Sequence, residues 1–261
     1  MLKRTGLRVM LDVWRALFLR ETFTRITADR LGWSWIFIEP LLHVAVMVGV
    51  RQLIGRVRVV PGVEFIPFLM VGILTFFLFR DVVTRTMTVV NANAALFAYR
   101  QVHPIDTVIV RAGLELCIKV VLFFVMVFGL HLLDYNILPA EPLQVSLILF
   151  LLWWLALGFG MVVCVLVSTF QESEKFVRLF MMPLYFISGV ILPVHYLPQS
   201  VQQWLWWNPI LHAVELSRMA FFDTYHTLNN LSVLYIAACG TGLVLLGFLM
   251  QIRYKTRMLV R

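Results

Sequence analysis

Three charged residues occur at four-residue intervals inside one apolar run of the sequence, 107–133. At this spacing Arg111, Glu115 and Lys119 lie on one face of a helix and form a ladder of alternating charge. Charged side chains persist inside a membrane span only where they have partners or line a wet path. The ladder therefore indicates either a self-neutralised structural element or part of a polar route across the membrane.

A second group of polar residues interrupts the apolar stretch LWWNPILHAVEL, at 205–216. Asn208-Pro209 breaks the helix there, because proline removes a backbone donor and clashes with the preceding turn. Glu215 and Arg218 are one turn apart and can pair. Three tryptophans, a residue type that favours the membrane interface, precede the break: Trp204, Trp206 and Trp207.

Motifs for chemistry by this chain alone are missing. The sequence contains no GxxxxGK[ST] phosphate loop, HExxH, GxSxG or paired-cysteine metal spacing. Several outer residues could converge on a metal, but lone interfacial histidines more often form simple hydrogen bonds. These residues are His195, His212, Glu215, Asp223 and His226. We therefore expect no catalytic residue, no metal site and no cofactor in this chain.

The elements that position these residues must lie in a membrane. Of the 261 residues, 61% are hydrophobic and 14% charged, against about 45–50% and about 25% in soluble domains. A span needs ~20 apolar residues to cross about 30 Å of hydrocarbon. Six runs qualify approximately: 33–54, 65–86, 107–133, 144–168, 176–192 and 231–252. We predict an all-α membrane protein with six transmembrane helices per subunit.

The chain divides into an N-terminal helix, 1–30, and a six-span domain, 31–261. Leu11 and Trp14 share an apolar face of the first helix, and Arg8 lies on the other face. Burying its charges at mid-bilayer would cost ~2.5–3.5 kcal/mol each. We therefore predict an amphipathic helix that lies in the cytoplasmic interface instead of crossing the membrane.

Lysine and arginine are unequally distributed between the two sides of the predicted spans. With both termini inside, sixteen lie in cytoplasmic segments and four outside, which predicts cytoplasmic N- and C-termini. The same bias explains the net charge of +8 without nucleic-acid binding. Arg51, Arg56 and Arg58 run against the bias, and we expect them to extend a polar route or to meet a periplasmic partner.

The outer segment 193–230 is too apolar for a solvated loop and too interrupted for two crossings. Broken helices occur at membrane depth only where protein or a water-filled path surrounds them. We predict two short re-entrant helices between spans five and six, one on each side of Asn208-Pro209. The alternative is an interfacial hairpin anchored by its tryptophans.

Three stretches resemble the ABC-type polysaccharide export permeases, which are type-2 ABC exporters. PLYFISGVILPVHYLPQ (183–199) and NPILHAVELSR (208–218) are similar to their C-terminal signature. NANAALFAYRQVHPID (91–106) resembles their coupling loop. Many O-antigen and teichoic-acid permeases carry an aromatic-proline pair there, whereas here Ala98-Tyr99-Arg100 is followed by proline only at Pro104. This departure favours the capsule branch, the inner-membrane permease of Gram-negative capsule export.

The resemblance implies a homodimer bound to two copies of a separate ATP-hydrolysing subunit, which would bind ATP and Mg. Its substrate would be a lipid-linked acidic capsular polysaccharide that moves from cytoplasm to periplasm across the bacterial inner membrane. Periplasmic and outer-membrane export proteins would carry the polysaccharide onward.

Three groups of residues take roles within this resemblance. The predicted substrate path comprises Arg51, Arg85, Arg111, Lys119, Trp153 and Trp154, although Trp153 and Trp154 could instead pack between subunits. The predicted outer gate comprises Trp204, Trp206, Trp207, Asn208, Pro209, Glu215 and Arg218. The predicted coupling residues, in the loop 91–104 and the link 171–175, are Tyr99, Arg100, His103, Pro104, Glu172 and Glu174.

Three other functions stay open at this point. A proton-coupled secondary transporter would use Glu39, His43, Glu115 and His131 as relay groups, although the internal repeat expected of such proteins is not evident. An integral-membrane glycan enzyme would use the outer histidines and glutamate. A related ABC exporter would move O-antigen, teichoic acid, lipid or drug.

Overall fold

The computed structural model describes residues 6–28, 32–54, 63–99, 101–135, 137–191, 193–227 and 230–259. Within these ranges every regular element is helical and no strand occurs, as the sequence predicts. Some of the basic residues with predicted roles lie outside the description: Arg56, Arg58, Arg100 and the side chain of Arg51.

Seven helices of 15 residues or more form the body of the described chain. They are α1 (Gly6–Ala28), α2 (Gly32–Ile54), α3 (Phe65–Thr86), α5 (Pro104–Leu132), α6 (Pro142–Thr169), α7 (Ser173–Ile187) and α10 (Val233–Arg253). Shorter helices connect them: α4 (Val89–Ala92), α8 (Gln199–Leu205), α9 (Pro209–Phe221) and α11 (Lys255–Leu259). Two 3₁₀ turns, Ala94–Ala98 and Val194–Tyr196, complete the described helices.

Four of these helices, α3, α5, α6 and α10, are long and apolar enough to cross a membrane. α2 coincides with the first predicted run, but its apolar section is limited to Ser34–Val50. α7 has 15 residues, or about 22 Å at 1.5 Å per residue. It ends five residues before the predicted boundary, because Ser188 leaves the helix and Gly189 adopts a left-handed φ of 70°. Crossing by α2 and α7 therefore stays a prediction.

Prolines and polar caps decide where several helices begin. Pro104, Pro142 and Pro209 occupy first-turn positions of α5, α6 and α9, where a missing N–H removes no helical hydrogen bond. Asn208 Oδ1 accepts a hydrogen bond from the backbone N–H of Ile210 at 3.0 Å and so caps α9. Two helices, α8 and α9, thus flank the break at 208–209, and their re-entrant depth stays a prediction.

The most extensive helix pair, α6 with α10, packs through glycines. A Cβ atom at Gly158 would lie 2.5 Å from the backbone nitrogen of Val244, and one at Gly247 would lie 2.6 Å from the Cβ of Met161. Helices in lipid associate largely through such close approach of small residues. α3, which is buried along most of its length, packs against α5, α6 and α9.

Gly158→Ala should therefore weaken the α6–α10 contact, whereas Gly242→Ala on the same pair should not, because nothing lies within 4 Å of a Cβ at Gly242. Overpacking of this kind typically costs about 1–3 kcal/mol. The check is the unfolding midpoint of each purified variant in detergent. Equal midpoints for the two variants would show that the close approach at Gly158 has no part in stability.

Candidate functional site

A cavity of about 500 Å³ opens between α2, α3, α5 and α7, with one residue of α1 at its edge. Six cationic side chains line it, against two acidic ones. The cations are Arg25, Arg80, Arg85, Arg111, Lys119 and Arg178, and the acids are Glu39 and Asp81. A cleft lined mainly by one sign of charge attracts ligands of the opposite sign, so the lining favours an anion.

Two rungs of the α5 ladder pair with α1. Arg111 NH2 lies 2.5 Å from Oε2 of Glu21, and Glu115, which is fully buried, pairs with Arg25. Glu21 and Arg25 are one turn apart on α1, as Arg111 and Glu115 are on α5. Each helix therefore carries one acid and one base, and each acid pairs with the base of the other helix. The charges of α5 thus fix where the C-terminal half of α1 docks.

The third rung joins α5 to α3 and, through α3, to α2. Lys119 pairs with Asp81, whose Oδ1 also lies 2.7 Å from Nε of Arg80. Arg80 NH1 lies 2.8 Å from Oε1 of Glu39 on α2, and its guanidinium lies 3.8 Å from the centre of the Phe77 ring. Each buried charge in this group therefore has a partner, as burial in low dielectric requires.

Two arginines of the lining keep unused hydrogen-bonding capacity. Arg85 is exposed at the cavity and, within the described part of the chain, forms no ion pair. The buried Nε of Arg111 likewise has no hydrogen-bond partner among the described residues. Arg178 differs, because its NH2 lies 2.8 Å from Oε1 of Glu174 on the same helix. The cavity therefore offers cationic donors that the protein does not fully satisfy.

The two tryptophans of the predicted path make contacts within the subunit. Trp153 Nε1 donates to the backbone carbonyl of Ala112 at 2.8 Å, which joins α6 to α5. Trp154 packs against α10, where a Cβ at Gly240 would lie 3.0 Å from its Cδ1. Neither belongs to the described lining of the charged cavity, and their part in a substrate path stays a prediction.

α1 contacts both ends of the segment that resembles a coupling loop. At one end, Arg20 NH1 donates to Oδ1 of Asn93 at 2.9 Å, and Asn93 Nδ2 donates to Oε1 of Glu21 at 3.1 Å. At the other end, Trp14 Nε1 donates to Oδ1 of Asp106 at 2.9 Å. The amphipathic pattern of α1 carries no signal for these contacts, so sequence reasoning missed Glu21, Asn93 and Asp106.

One of the predicted coupling residues, His103, contacts Asp106. The backbone N–H of His103 donates to Oδ2 of Asp106 at 2.9 Å, and Lys255 Nζ lies 3.0 Å from Nδ1 of His103. Tyr99 is exposed on the surface. Pro104 lies at the start of α5, and Glu172 and Glu174 lie at the start of α7, whereas Arg100 is outside the described residues. Their contact with a second protein stays a prediction.

A fully buried ion pair holds the outer segment. Arg218 NH1 lies 2.9 Å from Oε1 of Glu215, and both side chains are completely buried. The hydroxyls of Tyr225 and Thr227 each donate to Oε2 of the same carboxylate at 2.6 Å. Charge-assisted hydrogen bonds are among the strong ones, so this cluster fixes α9 relative to the chain that follows it.

Arg218 also ties α9 to α3 and to the turn after α7. Its NH1 and NH2 donate to the carbonyls of Gly189 and Val190 at 2.7 and 2.6 Å. The guanidinium lies 3.7 Å from the centre of the Phe68 ring. Its NH2 occupies the space that a side chain at Gly72 would need, 2.2 Å from the Cβ position. No local pattern in the sequence predicts this socket.

The remaining outer residues differ in exposure and in hydrogen bonding. Trp204 and Trp207 are 83% and 80% exposed, whereas Trp206 is half-buried. His212 accepts a hydrogen bond at Nδ1 from the N–H of Ser232, so its Nε2 donates to the Trp206 carbonyl. Burial lowers the pKa of His195, although the Glu215 carboxylate opposes this shift. Among the described residues no three His, Cys, Asp or Glu side chains converge as metal ligands.

Arg218→Met should strongly destabilise the protein, because it leaves the Glu215 carboxylate buried without its cation, a loss of about 3–5 kcal/mol. Adding Glu215→Gln to that variant should restore part of the stability. Arg178→Met, which breaks an exposed pair, should change it by about 1 kcal/mol or less. Unfolding in detergent measures all three, and an Arg218→Met protein as stable as Arg178→Met would contradict the assigned role.

Comparison with known proteins identifies the family of this chain. Residues 13–222 match the ABC-2 type transporter family. The polysialic acid transport protein KpsM of Escherichia coli is 35% identical, over 97% of this chain and 96% of that protein. The capsule polysaccharide export inner-membrane protein CtrC of Neisseria meningitidis serogroup A is 30% identical, over 92% of this chain and 90% of that protein. These matches confirm the resemblance seen in the sequence: the chain belongs to the ABC-2 type transporter family.

Proposed function

We propose that this chain is the permease subunit of an ATP-driven exporter that moves a lipid-linked capsular polysaccharide from cytoplasm to periplasm. The single observation that carries the proposal is the cavity lined by six cations and two acids. A passage of this charge in a low-dielectric setting attracts carboxylates or phosphates, and water in it limits the cost of burying the cations. The relatives named for polysialic acid transport and capsule polysaccharide export support the same substrate class.

The chain acts as a homodimer of six-span subunits with cytoplasmic termini in the bacterial inner membrane. α2 and α7, which complete the six predicted spans, both contribute charged residues to the cavity wall. A helix face that carries charges is costly against lipid. The charged faces of α2 and α7 therefore turn toward the second subunit or a water-filled path. The segment 1–30 contains the interface helix α1, and 31–261 is the permease domain.

ATP and Mg are bound by two copies of a separate subunit, and this chain supplies no cofactor site of its own. The segments 91–104 and 171–175 contact that subunit. Both segments run into the start of a helix that lines the cavity, α5 and α7, so a push on either moves that helix. The hydrogen bonds of α1 to Asn93 and Asp106 support this assignment, because they connect α1 to the segment 91–104 near its start and to the first turn of α5 just after it.

The outer gate is formed by α8, which carries Trp204, by Trp206 and Trp207 after it, and by α9, all re-entrant from the outer face. Trp204 and Trp207 are exposed in the subunit, so their rings are free to close against the second subunit or to stack on sugar. The cluster of Glu215 and Arg218 supplies a rigid base for this movement. Periplasmic and outer-membrane export proteins receive the polysaccharide beyond the gate.

Arg85→Glu should reduce polysaccharide export more than Arg85→Ala, because reversal repels the acidic substrate whereas neutralisation only removes attraction. Arg257→Glu, a reversal at an exposed arginine outside the cavity, is the matched control and should export normally. The measurement is surface polysaccharide per unit of permease in the membrane. If both Arg85 variants fail equally and only through lost protein, the residue is structural and the cationic route is wrong.

Trp207→Ala should leave folding intact but block export or make the membrane leaky, and Trp207→Leu should not restore function. An interfacial anchor, in contrast, would tolerate leucine. In a background whose three cysteines are replaced by serine, single cysteines at 204 or 207 should crosslink two subunits and stop export when oxidised. Absence of crosslinks in an assembled dimer would move the gate away from the dimer axis.

A further inference from the structure

One carboxylate connects the charged cavity to the coupling segment. Oε2 of Glu21 lies 2.5 Å from NH2 of Arg111, which lines the cavity. Oε1 of the same side chain accepts a hydrogen bond from Nδ2 of Asn93 at 3.1 Å. Asn93 is buried and lies between α4 and the 3₁₀ turn Ala94–Ala98. The two oxygens of Glu21 therefore serve two different parts of the proposed transport machinery.

Two hydrogen bonds connect the side chain of Asn93 to α1. Asn93 also accepts a hydrogen bond from Arg20 at 2.9 Å and donates a second one to the Val89 carbonyl at 3.0 Å. Its side chain is thus held between α1 and its own short helix. A displacement of the Glu21 carboxylate consequently changes the environment of a buried residue inside the segment 91–104.

The two ion pairs between α1 and α5 differ in the burial of their acids. Arg25 and Arg111 both line the cavity and are 20% exposed, but Glu115 is fully buried, so an anion that displaced it would leave a buried carboxylate without its cation. The Glu21 and Arg111 side chains are 11% and 20% exposed, and the Nε of Arg111 has no partner among the described residues. A carboxylate or phosphate in the cavity can replace the Glu21 carboxylate at this guanidinium, because one charge-assisted pair then substitutes for another.

We propose that Glu21 is an exchangeable counterion of Arg111, which an anionic group of the transported molecule displaces when it enters the cavity. The displaced carboxylate then alters its contact with Asn93 and so reports an occupied cavity to the coupling segment. This inference rests on the proposed function, since it requires an anionic substrate and an ATP-hydrolysing partner at 91–104. Glu21 is a positioning residue here and not part of the substrate's own contact set.

Glu21→Gln separates the two contacts of this side chain. The amide keeps the length of glutamate and can still accept from Asn93, but it loses the charge that holds Arg111. Arg111 then stays available to an anion, while the arrival of that anion no longer releases a bound carboxylate. Glu141→Gln, at an exposed position at the other end of α5 and α6, is the matched control.

The experiment uses the complete complex with its ATP-hydrolysing subunits in nanodiscs. One arm adds soluble oligogalacturonate to phosphatidylcholine nanodiscs, which presents sugar carboxylates. The other arm uses phosphatidylglycerol nanodiscs without sugar, which presents lipid phosphate. Probe binding and ATP hydrolysis are measured in both arms, and the arm that responds identifies the source of the anion.

The wild type should bind the probe and hydrolyse ATP faster when the cavity is occupied. Glu21→Gln should bind at least as well, but its stimulation should fall about fivefold or more, the lower range of typical coupling between sites. Glu141→Gln should keep both properties. Asn93→Ala should lose the same stimulation, and the double variant Glu21→Gln/Asn93→Ala should lose no more than either single one.

Two results would overturn the proposed role of Glu21 as an exchangeable counterion but would leave the proposed function intact. One is normal stimulation in assembled Glu21→Gln complexes. The other is loss of probe binding together with stimulation in those complexes, since Glu21 would then shape the cavity without transmitting its state. A wild-type complex that binds neither probe would instead refute the anion-binding cavity, and with it the proposed role of Glu21.

Discussion

A charge placed among membrane-spanning helices must find a partner, and that constraint arranges the interior of this protein. Each charge at mid-bilayer costs about 2.5–3.5 kcal/mol when it is left alone. The ladder of α5 meets this demand through acids and bases on α1 and α3 and not along its own helix. The ion pairs therefore act as connections between helices, and they determine where α1 lies.

The two ionic clusters of the molecule differ in burial, and burial separates their roles. Around Arg218 and Glu215 both side chains are completely enclosed, and carbonyls or hydroxyls supply further hydrogen bonds. Around the cavity the side-chain exposure of Glu39 and Arg80 is 34% and 23%. An enclosed cluster stabilises one arrangement because no ligand can reach its charges, whereas a partly open one leaves cations for a ligand. Proximity of charges alone would not distinguish these cases.

Local signals were sufficient for most helices but not for the site. α3 coincides with a predicted run, and α10 begins and ends close to one. These helices could be predicted because long apolar stretches and prolines are local features of the sequence. α7 ends early, since the left-handed Gly189 stops it. The partners of Arg111 and Glu115 lie 90 residues away in sequence. Such pairs depend on how α1 docks, which no pattern within α1 or α5 specifies.

The docking of α1 also changes the meaning of its amphipathic pattern. Leu7, Leu11 and Phe23 are 65%, 51% and 64% exposed, whereas Glu21 and Arg25 are turned to the protein by their ion pairs. An exposed apolar face on such a helix suits the lipid interface, while the polar face of the helix pairs with the charges of α5. At the predicted interface, lipid would restrict α1 to the plane of the membrane without holding it at one position along that plane. Because its position is set by the ion pairs, a change in the charge of the cavity is the kind of event that can move it.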